Sequence, residues 1–432
     1  MTFLQILKSK ATTLRESTLP TAHLLQIWQI IFFGVVIVFI HACRNFSLVI
    51  QPVLWAEDGI VFLKNAYELG THSLLLPYAG YLHLVPRTVA LFSTFLPLQY
   101  VPLAFVSSAL LVHFCVALHL FGSRIPLKVS SKILFGLASA LVPHSGEVFL
   151  NLTNVQWFLA LGCILLILSD PPQTKLQGFF DFFFISFAAF TGPFMAIFVP
   201  TYLLKIVLFK SKSKAELVRF SFVFSLCVLH ALLTNYSRTQ TVIPFQFQPD
   251  IWSKLLQTYW MSWMSPGWVF GRPWGVLFWL SVAFTFAFFF AARFLLNDPA
   301  TRKNTFVILF CSGSILTAVL WTSMRGANFE LVNPFGFGGR YFFIPYVCMA
   351  WLGILLFESS AAQSIKFASA YFLVAALCSS LHTFERNFGK IPKDFKIQVE
   401  EFKKKGTLTF EISPPGWGFE LAESKYWRKS EQ

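Results

Sequence analysis

The chain has 432 residues, of which 56% are hydrophobic and only 12% charged, and it contains 53 Phe. That much apolar surface cannot be hidden inside one water-soluble globule, so the sequence reads as an all-α polytopic membrane protein. The formal net charge of +14 sits in short Lys/Arg clusters between apolar runs, which follows the positive-inside pattern and argues against a nucleic-acid partner.

Residues 1–23 carry Lys8, Lys10 and Arg15 and precede an apolar run over 24–43. That run is long enough to cross a bilayer. It lacks a small-residue cleavage site, so it reads as a retained first span with a cytoplasmic N-terminus. A polar loop over 44–87 follows, holding the adjacent acids Glu57 and Asp58, and is expected to form interfacial helices.

Further apolar runs cover 101–121, 133–142, 158–168, 179–190, 196–208, 220–233, 276–296, 305–321, 342–357 and 367–381. Those over 133–142 and 158–168 are short enough to be buried or re-entrant instead. The basic groups Arg124/Lys128/Lys132, Lys210/Lys212/Lys214/Arg219, Arg302/Lys303 and Lys366 mark the cytoplasmic turns. The total is about 11 spans within a transmembrane domain over 24–381. Outer loops fall at 44–87, 143–157, 235–275 and 322–341, with a small extracytoplasmic C-terminal tail over 382–432. The loop over 235–275 holds Trp252, Trp260, Trp263, Trp268 and Trp274 and is expected to lie at the headgroup level. In the tail, GTLTFEIS followed by PPGWGFEL predicts a strand and turn.

Seven scattered cysteines without paired spacing support neither a disulfide framework nor a zinc site. No phosphate-binding GxxxxGKS is present, so no ATP-driven motor is encoded in these residues. His113, His119 and His230 fall inside apolar runs and read as satisfied core residues. The sequons at Asn151 and Asn235 are too common to carry an argument.

Glu57 and Asp58 are the first candidates for chemistry, because an ionisable group at a membrane boundary costs free energy unless it faces water, a partner or a substrate. A solvated loop helix with a turn at Asp58-Gly59 is the plain alternative. His83 and Arg87 in GYLHLVPR are substrate-binding candidates, beside the alternative of an interfacial anchor. His144, Glu147, Asn154 and Gln156 in the loop after the third span form a second group, beside the alternative of helix caps. Arg325, Arg340 and Tyr341 form a third. The glycines around Arg340 allow close backbone approach, and Arg suits bidentate phosphate recognition; pairing with lipid headgroup phosphate is the alternative.

A carboxylate, a phosphate-seeking Arg and a deep apolar body together suit sugar transfer from a polyprenyl-phosphate donor. A first span, an outer loop with an acidic pair and many short-looped spans resemble the GT-C membrane glycosyltransferases. WAEDG, GYLHLVPR, GGRY and PPGW resemble an uncharacterised bacterial membrane-protein family of that layout. The resemblance implies an active site on the extracytoplasmic face of the bacterial inner membrane. It also implies a catalytic acid in the first outer loop, here Asp58 or Glu57. The expected reaction is inverting transfer from polyprenyl-phosphate sugar to a glycan, lipid or protein acceptor. In it Asp58 takes the acceptor proton, Glu57 orients Asp58 or helps it hold Mg²⁺ or Mn²⁺, and Arg340 or Arg325 stabilises the leaving phosphate. Two other readings are a transporter or flippase of lipid-linked sugars, with the acids relaying protons, and an acyltransferase using His83 or His144.

Overall fold

The computed structural model describes residues 25–235, 249–265, 274–323, 333–336, 338–384 and 392–422. Apart from a two-stranded hairpin and isolated bridges, the secondary structure of these residues is helical. Helix α1 (Ile27–Cys43) is followed by a loop of short pieces: α2 (Phe46–Ile50), a π-helical turn (Asp58–Leu63), α3 (Lys64–Leu69), a 3₁₀ turn (Gly70–Leu75) and α4 (Leu84–Ser93). The helical body continues with α5 (Val101–Phe121), α6 (Val129–Leu141), α7 (Val155–Leu168), α8 (Lys175–Thr191), α9 (Phe194–Leu208) and α10 (Lys214–Asn235). It closes with α11 (Pro249–Met264), α12 (Val276–Asn297), α13 (Arg302–Ser323), α14 (Arg340–Glu358) and α15 (Gln363–His382).

Among the described residues, six helices are long and apolar enough to cross a membrane: Leu98–Phe121, Lys214–Thr234, Val276–Asn297, Arg302–Leu320, Arg340–Glu358 and Gln363–His382. Five shorter apolar helices accompany them, α1, α4, α6, α7 and α9. The protein is therefore a helical membrane protein.

Two helices form the axis of the body. In α7 all residues but Gln156 are buried, and in α14 the run from Phe342 to Leu356 is buried without interruption. Helices apolar on every side belong in the interior of a bundle. Phe135 of α6 stacks on Trp351 of α14 at 4.7 Å, and the indole N–H of Trp351 donates to the Phe135 carbonyl. The outer helices instead turn aromatic side chains outward: Phe179, Phe180, Phe182 and Phe183 of α8 and Phe286, Phe289 and Phe290 of α12 are all more than half exposed. Such faces are stable only against lipid or another apolar surface.

Two tryptophans of the Trp-rich segment depart from the expected headgroup-level position, while Trp274 is 49% exposed. Trp260 and Trp263 of α11 are buried, Trp263 completely. Trp263 stacks on Phe372 of α15 at 4.9 Å and donates its indole N–H to the Phe372 carbonyl, so it is core rather than headgroup anchor. Trp268 lies outside the described residues. His113 is buried as expected and stacks on Phe158 at 3.6 Å, but neither ring nitrogen has a hydrogen-bond partner.

The described part of the tail forms α16 (Phe395–Lys405), β1 (Thr407–Ile412) and β2 (Trp417–Ala422), an antiparallel hairpin. The hairpin packs on the π-helical turn that begins at Asp58, and α16 packs near the start of α5. Ser413 donates to the Leu54 carbonyl and accepts from the Ala56 N–H, which ties the tail to the residues just before Glu57. Gly59 makes this approach possible: a β-carbon there would stand 2.8 Å from the Phe419 ring and 3.1 Å from Ile412. The tail and the acidic loop thus share one end of the helical body.

Candidate functional site

The acidic loop is held in an unusual backbone. Ala56, immediately before Glu57, has φ +40°, and His83 at the start of α4 has φ +54°. Non-glycine residues there cost on the order of 1–3 kcal/mol and persist only where the surroundings over-determine them. Hydrogen bonds supply that determination: Ala56 N–H to Ser413, Arg87 N–H to the His83 carbonyl, Leu82 N–H to His230 Nε2 at 3.2 Å and Val85 N–H to Thr191 Oγ1 at 3.2 Å. A turn at Ala79-Gly80, both with positive φ, closes on reciprocal backbone bonds between Tyr78 and Tyr81.

The two acids have different surroundings. Asp58 is 1% exposed, accepts from Thr153 Oγ1 at 2.9 Å and from the Leu152 N–H at 3.3 Å, and is pushed up to about 7 by burial. Thr153 Oγ1 also stands 3.3 Å from the Trp55 carbonyl. One hydroxyl proton cannot serve both acceptors, whereas a protonated Asp58 donates to Thr153 and frees its hydroxyl for Trp55. Glu57 is only half-buried and accepts from the Tyr78 hydroxyl at 3.4 Å. Burial and then the charge of Glu57 raise the Tyr78 phenol, while Arg340 opposes them. Glu57, Tyr78 and Arg340 therefore lie within electrostatic reach of one another.

Arg340 opens α14. Its Nη1 donates to Glu147 Oε1 at 2.7 Å and its backbone N–H to Glu147 Oε2 at 3.2 Å, while the side chain stays 36% exposed. Glu147 is buried, and its carbonyl accepts from Asn151 Nδ2 at 2.8 Å and Asn154 Nδ2 at 3.0 Å. Gly339 is needed for this junction, because a β-carbon there would collide with the Ser145 hydroxyl and stand 2.8 Å from the Pro334 carbonyl. Tyr341 meets Trp157 edge-on at 5.8 Å and lines an apolar cavity of about 270 Å³ formed by α11, α12, α13 and α14. Trp252, Trp260, Phe288 and Phe289 are among its walls. The cavity thus reaches the residue next to the Arg340 cation.

Of the residues singled out by sequence, Glu57, Glu147, Asn154, Arg340 and Tyr341 lie in or border this constellation. His83 supports it from behind: its Nε2 lies 3.1 Å from the Tyr78 carbonyl, and burial followed by the charge of Arg87 pushes its imidazole down to about 3. Arg87 is buried, donates from Nε to the Leu82 carbonyl at 2.9 Å and covers the Phe62 ring. His144 is buried, its Nδ1 accepts from the Gly146 N–H at 2.8 Å, and burial and then Arg44 hold it well below the ordinary imidazole range. Gln156 stands apart, packed against the backbone at Gly192. Arg325 lies outside the described residues.

Four residues that sequence reasoning passed over hold the site together. Thr153, part of the discarded sequon, fixes Asp58, while Asn151 of the same sequon is buried and donates to the Glu147 and Phe149 carbonyls. Tyr78 positions Glu57. Arg44, 1% exposed, donates to the His144 carbonyl and to Ser380 Oγ.

Asp58 directs its oxygens to Thr153 and Leu152, and no group of three His, Cys, Asp or Glu suited to a metal occurs among the described residues. A hard divalent cation asks for about six oxygen ligands.

The Asp58 environment has a measurable consequence. A folded-state pKa raised from 3.8 to about 7 means that stability present at low pH is lost as pH rises through that interval, levelling above 7. Asp58→Asn keeps the shape, donates to Thr153 and accepts from Leu152. Thermal melts should show the variant gaining on the wild type from pH 4 to pH 7, by at most on the order of 4 kcal/mol. Parallel melting curves across that range would mean that Asp58 is not held in this way. Compared with known proteins, the chain matches no protein-family model, no curated protein and no solved structure.

Proposed function

We propose that the protein is a GT-C-like membrane glycosyltransferase that moves a sugar, with inversion, from a polyprenyl-phosphate donor to an acceptor on the extracytoplasmic face, through a body of eleven crossing helices. The observation that carries the reading is the apolar cavity lined by Tyr341, next in the chain to a part-exposed Arg340 that lies within electrostatic reach of Tyr78 and the half-buried carboxylate Glu57. A long isoprenoid needs an apolar groove, its phosphate needs a cation at the mouth, and the acceptor hydroxyl needs a base.

In this reading Glu57 is the general base and Asp58 is a positioning residue, the reverse of the order that the sequence suggests. Accessibility supports this order: Asp58 is enclosed and hydrogen-bonded, whereas Glu57 is only half-buried. Glu57 takes the acceptor proton as the oxygen attacks the anomeric carbon, and the bond from that carbon to the phosphate oxygen breaks. Arg340, oriented by Glu147, balances the charge that collects on the departing polyprenyl phosphate.

Arg340 gives the direct test. Arg340→Lys keeps the charge but loses the planar fork, and Arg340→Ala loses both and leaves the buried Glu147 without its guanidinium partner. Donor affinity, read by titration with polyprenyl-phosphate sugar in nanodiscs, should fall about tenfold in Lys and further in Ala. Unchanged affinity in both variants would remove Arg340 from the site.

A transporter of lipid-linked sugars is the second reading, favoured by the charges buried at the far end of α7. There Arg124 and Arg219 share Asp181, and Arg219 and Lys205 share Glu216. Ionisable groups inside a membrane body often mark ion or substrate routes.

A further inference from the structure

Helices α8 and α10 run side by side in the same direction: Asp181 meets Arg219, Phe182 stacks on Phe222 at 4.5 Å, and Phe190 meets His230 edge-on at 5.7 Å. Between them lies an open groove of about 480 Å³. Its head, toward the start of both helices, is lined by Lys214, Asp181 and Arg219, and its deeper part by Phe182, Ile185 and Phe222. Gly178 lies in its wall with open space above, because a β-carbon there would meet nothing within 4 Å.

The charges at the head do not cancel. Arg124, Arg219 and Lys205 share two carboxylates, Asp181 and Glu216, while Asp170 is held by Lys303. Lys175, Lys210, Lys212 and Lys214 add exposed cations at this end, and none of them enters an ion pair among the described residues. The flanks are apolar: Phe179, Phe183 and Val218 are more than half exposed, so in this membrane protein the groove opens onto hydrocarbon.

We infer that this groove binds an anionic phospholipid from the leaflet on the side of the basic turns. The lipid phosphate sits by Lys214 at the head, and an acyl chain lies along Phe182, Ile185 and Phe222. Basic pockets between membrane helices take anionic headgroups in this way. Surplus positive charge selects the anionic lipid, whereas a choline headgroup would bring a further cation among the lysines. A soluble phosphate would occupy the head alone and leave the aromatic part of the groove uncovered. The site lies at the opposite end of α7 from Glu57 and Arg340, and it depends on neither functional reading.

Native mass spectrometry tests this on the full-length protein in detergent, titrated with phosphatidylglycerol and phosphatidylcholine of identical chains. The first lipid bound should have a Kd about tenfold lower for phosphatidylglycerol. Lys214→Gln removes one cation from an exposed side chain and should raise the phosphatidylglycerol Kd about fivefold. Gly178→Leu keeps every charge, suits a helix better than glycine and fills the groove, so it should weaken phosphatidylglycerol by at least a similar factor while the lipid-free melting temperature stays near that of the wild type. Lys366→Gln, in a basic turn that does not line the groove, should change neither lipid. Equal affinity of the wild type for the two lipids overturns the inference, and so does unchanged phosphatidylglycerol binding in either Lys214→Gln or Gly178→Leu. Displacement of the lipid by millimolar glycerol phosphate, which carries the phosphate without the chains, also overturns it and leaves a site for soluble anions.

Discussion

Glu57→Gln should abolish sugar transfer almost completely while leaving donor bound. The amide is nearly isosteric with the carboxylate and still accepts from the Tyr78 hydroxyl, so the loop keeps its shape. It cannot take a proton from the acceptor, and a positioned base typically contributes about 10²–10⁴-fold in rate. The loss should fall on kcat rather than on donor affinity, as expected when a group acts only in the transition state. Asp58→Asn should lose much less, because its role is to hold Thr153 and Leu152. Equal and total losses from both substitutions would return the catalytic role to the enclosed acid.

The largest effect on stability is expected at the opposite end of α7. Glu216 is wholly buried, 2.7 Å from Lys205 Nζ and 2.6 Å from Arg219 Nη2. Arg219 also donates to the Tyr202 hydroxyl at 2.7 Å and to the Ser169 carbonyl at 3.1 Å. Glu216→Ala leaves two buried cations without their shared carboxylate, which costs about 3–5 kcal/mol for a buried pair. Thermal unfolding in detergent should show a large fall in Tm. Removing Lys205 as well, with Lys205→Met in the Glu216→Ala background, should recover part of it, because Asp181 still balances Arg219. A double variant no better than Glu216→Ala would show that Lys205 contributes nothing through its charge.

The helical body was largely legible in the sequence, because an apolar run has few options in a bilayer. The runs over 133–142 and 158–168, too short to assign with composition alone, sit within α6 and α7, and α7 is the most enclosed helix near the site. Its length reflects burial inside protein, where span length is not the constraint. Trp263 misled for a related reason: indoles suit a headgroup region and a packed core equally well, and only Phe372 and Tyr346 opposite it decide for the core. The site was legible as residue types but not as partners. Asp58 and Glu57 are neighbours in sequence, yet one meets Thr153, 95 residues away, and the other Tyr78, 21 residues away. Arg340 and Glu147 are separated by 193 residues. Pairings of that kind depend on how α7 and α14 pack, and no local pattern encodes them.

Transfer itself is the claim on which the account stands. Purified wild-type protein, reconstituted in liposomes with radiolabelled polyprenyl-phosphate sugars and offered oligosaccharide and lipid acceptors at the face carrying Glu57, should release polyprenyl phosphate and label an acceptor with inverted configuration. Glu57→Gln protein in the same liposomes should bind donor and release none. Wild-type protein that carries the labelled lipid from one leaflet to the other and leaves its sugar intact would contradict the account and establish the transporter reading.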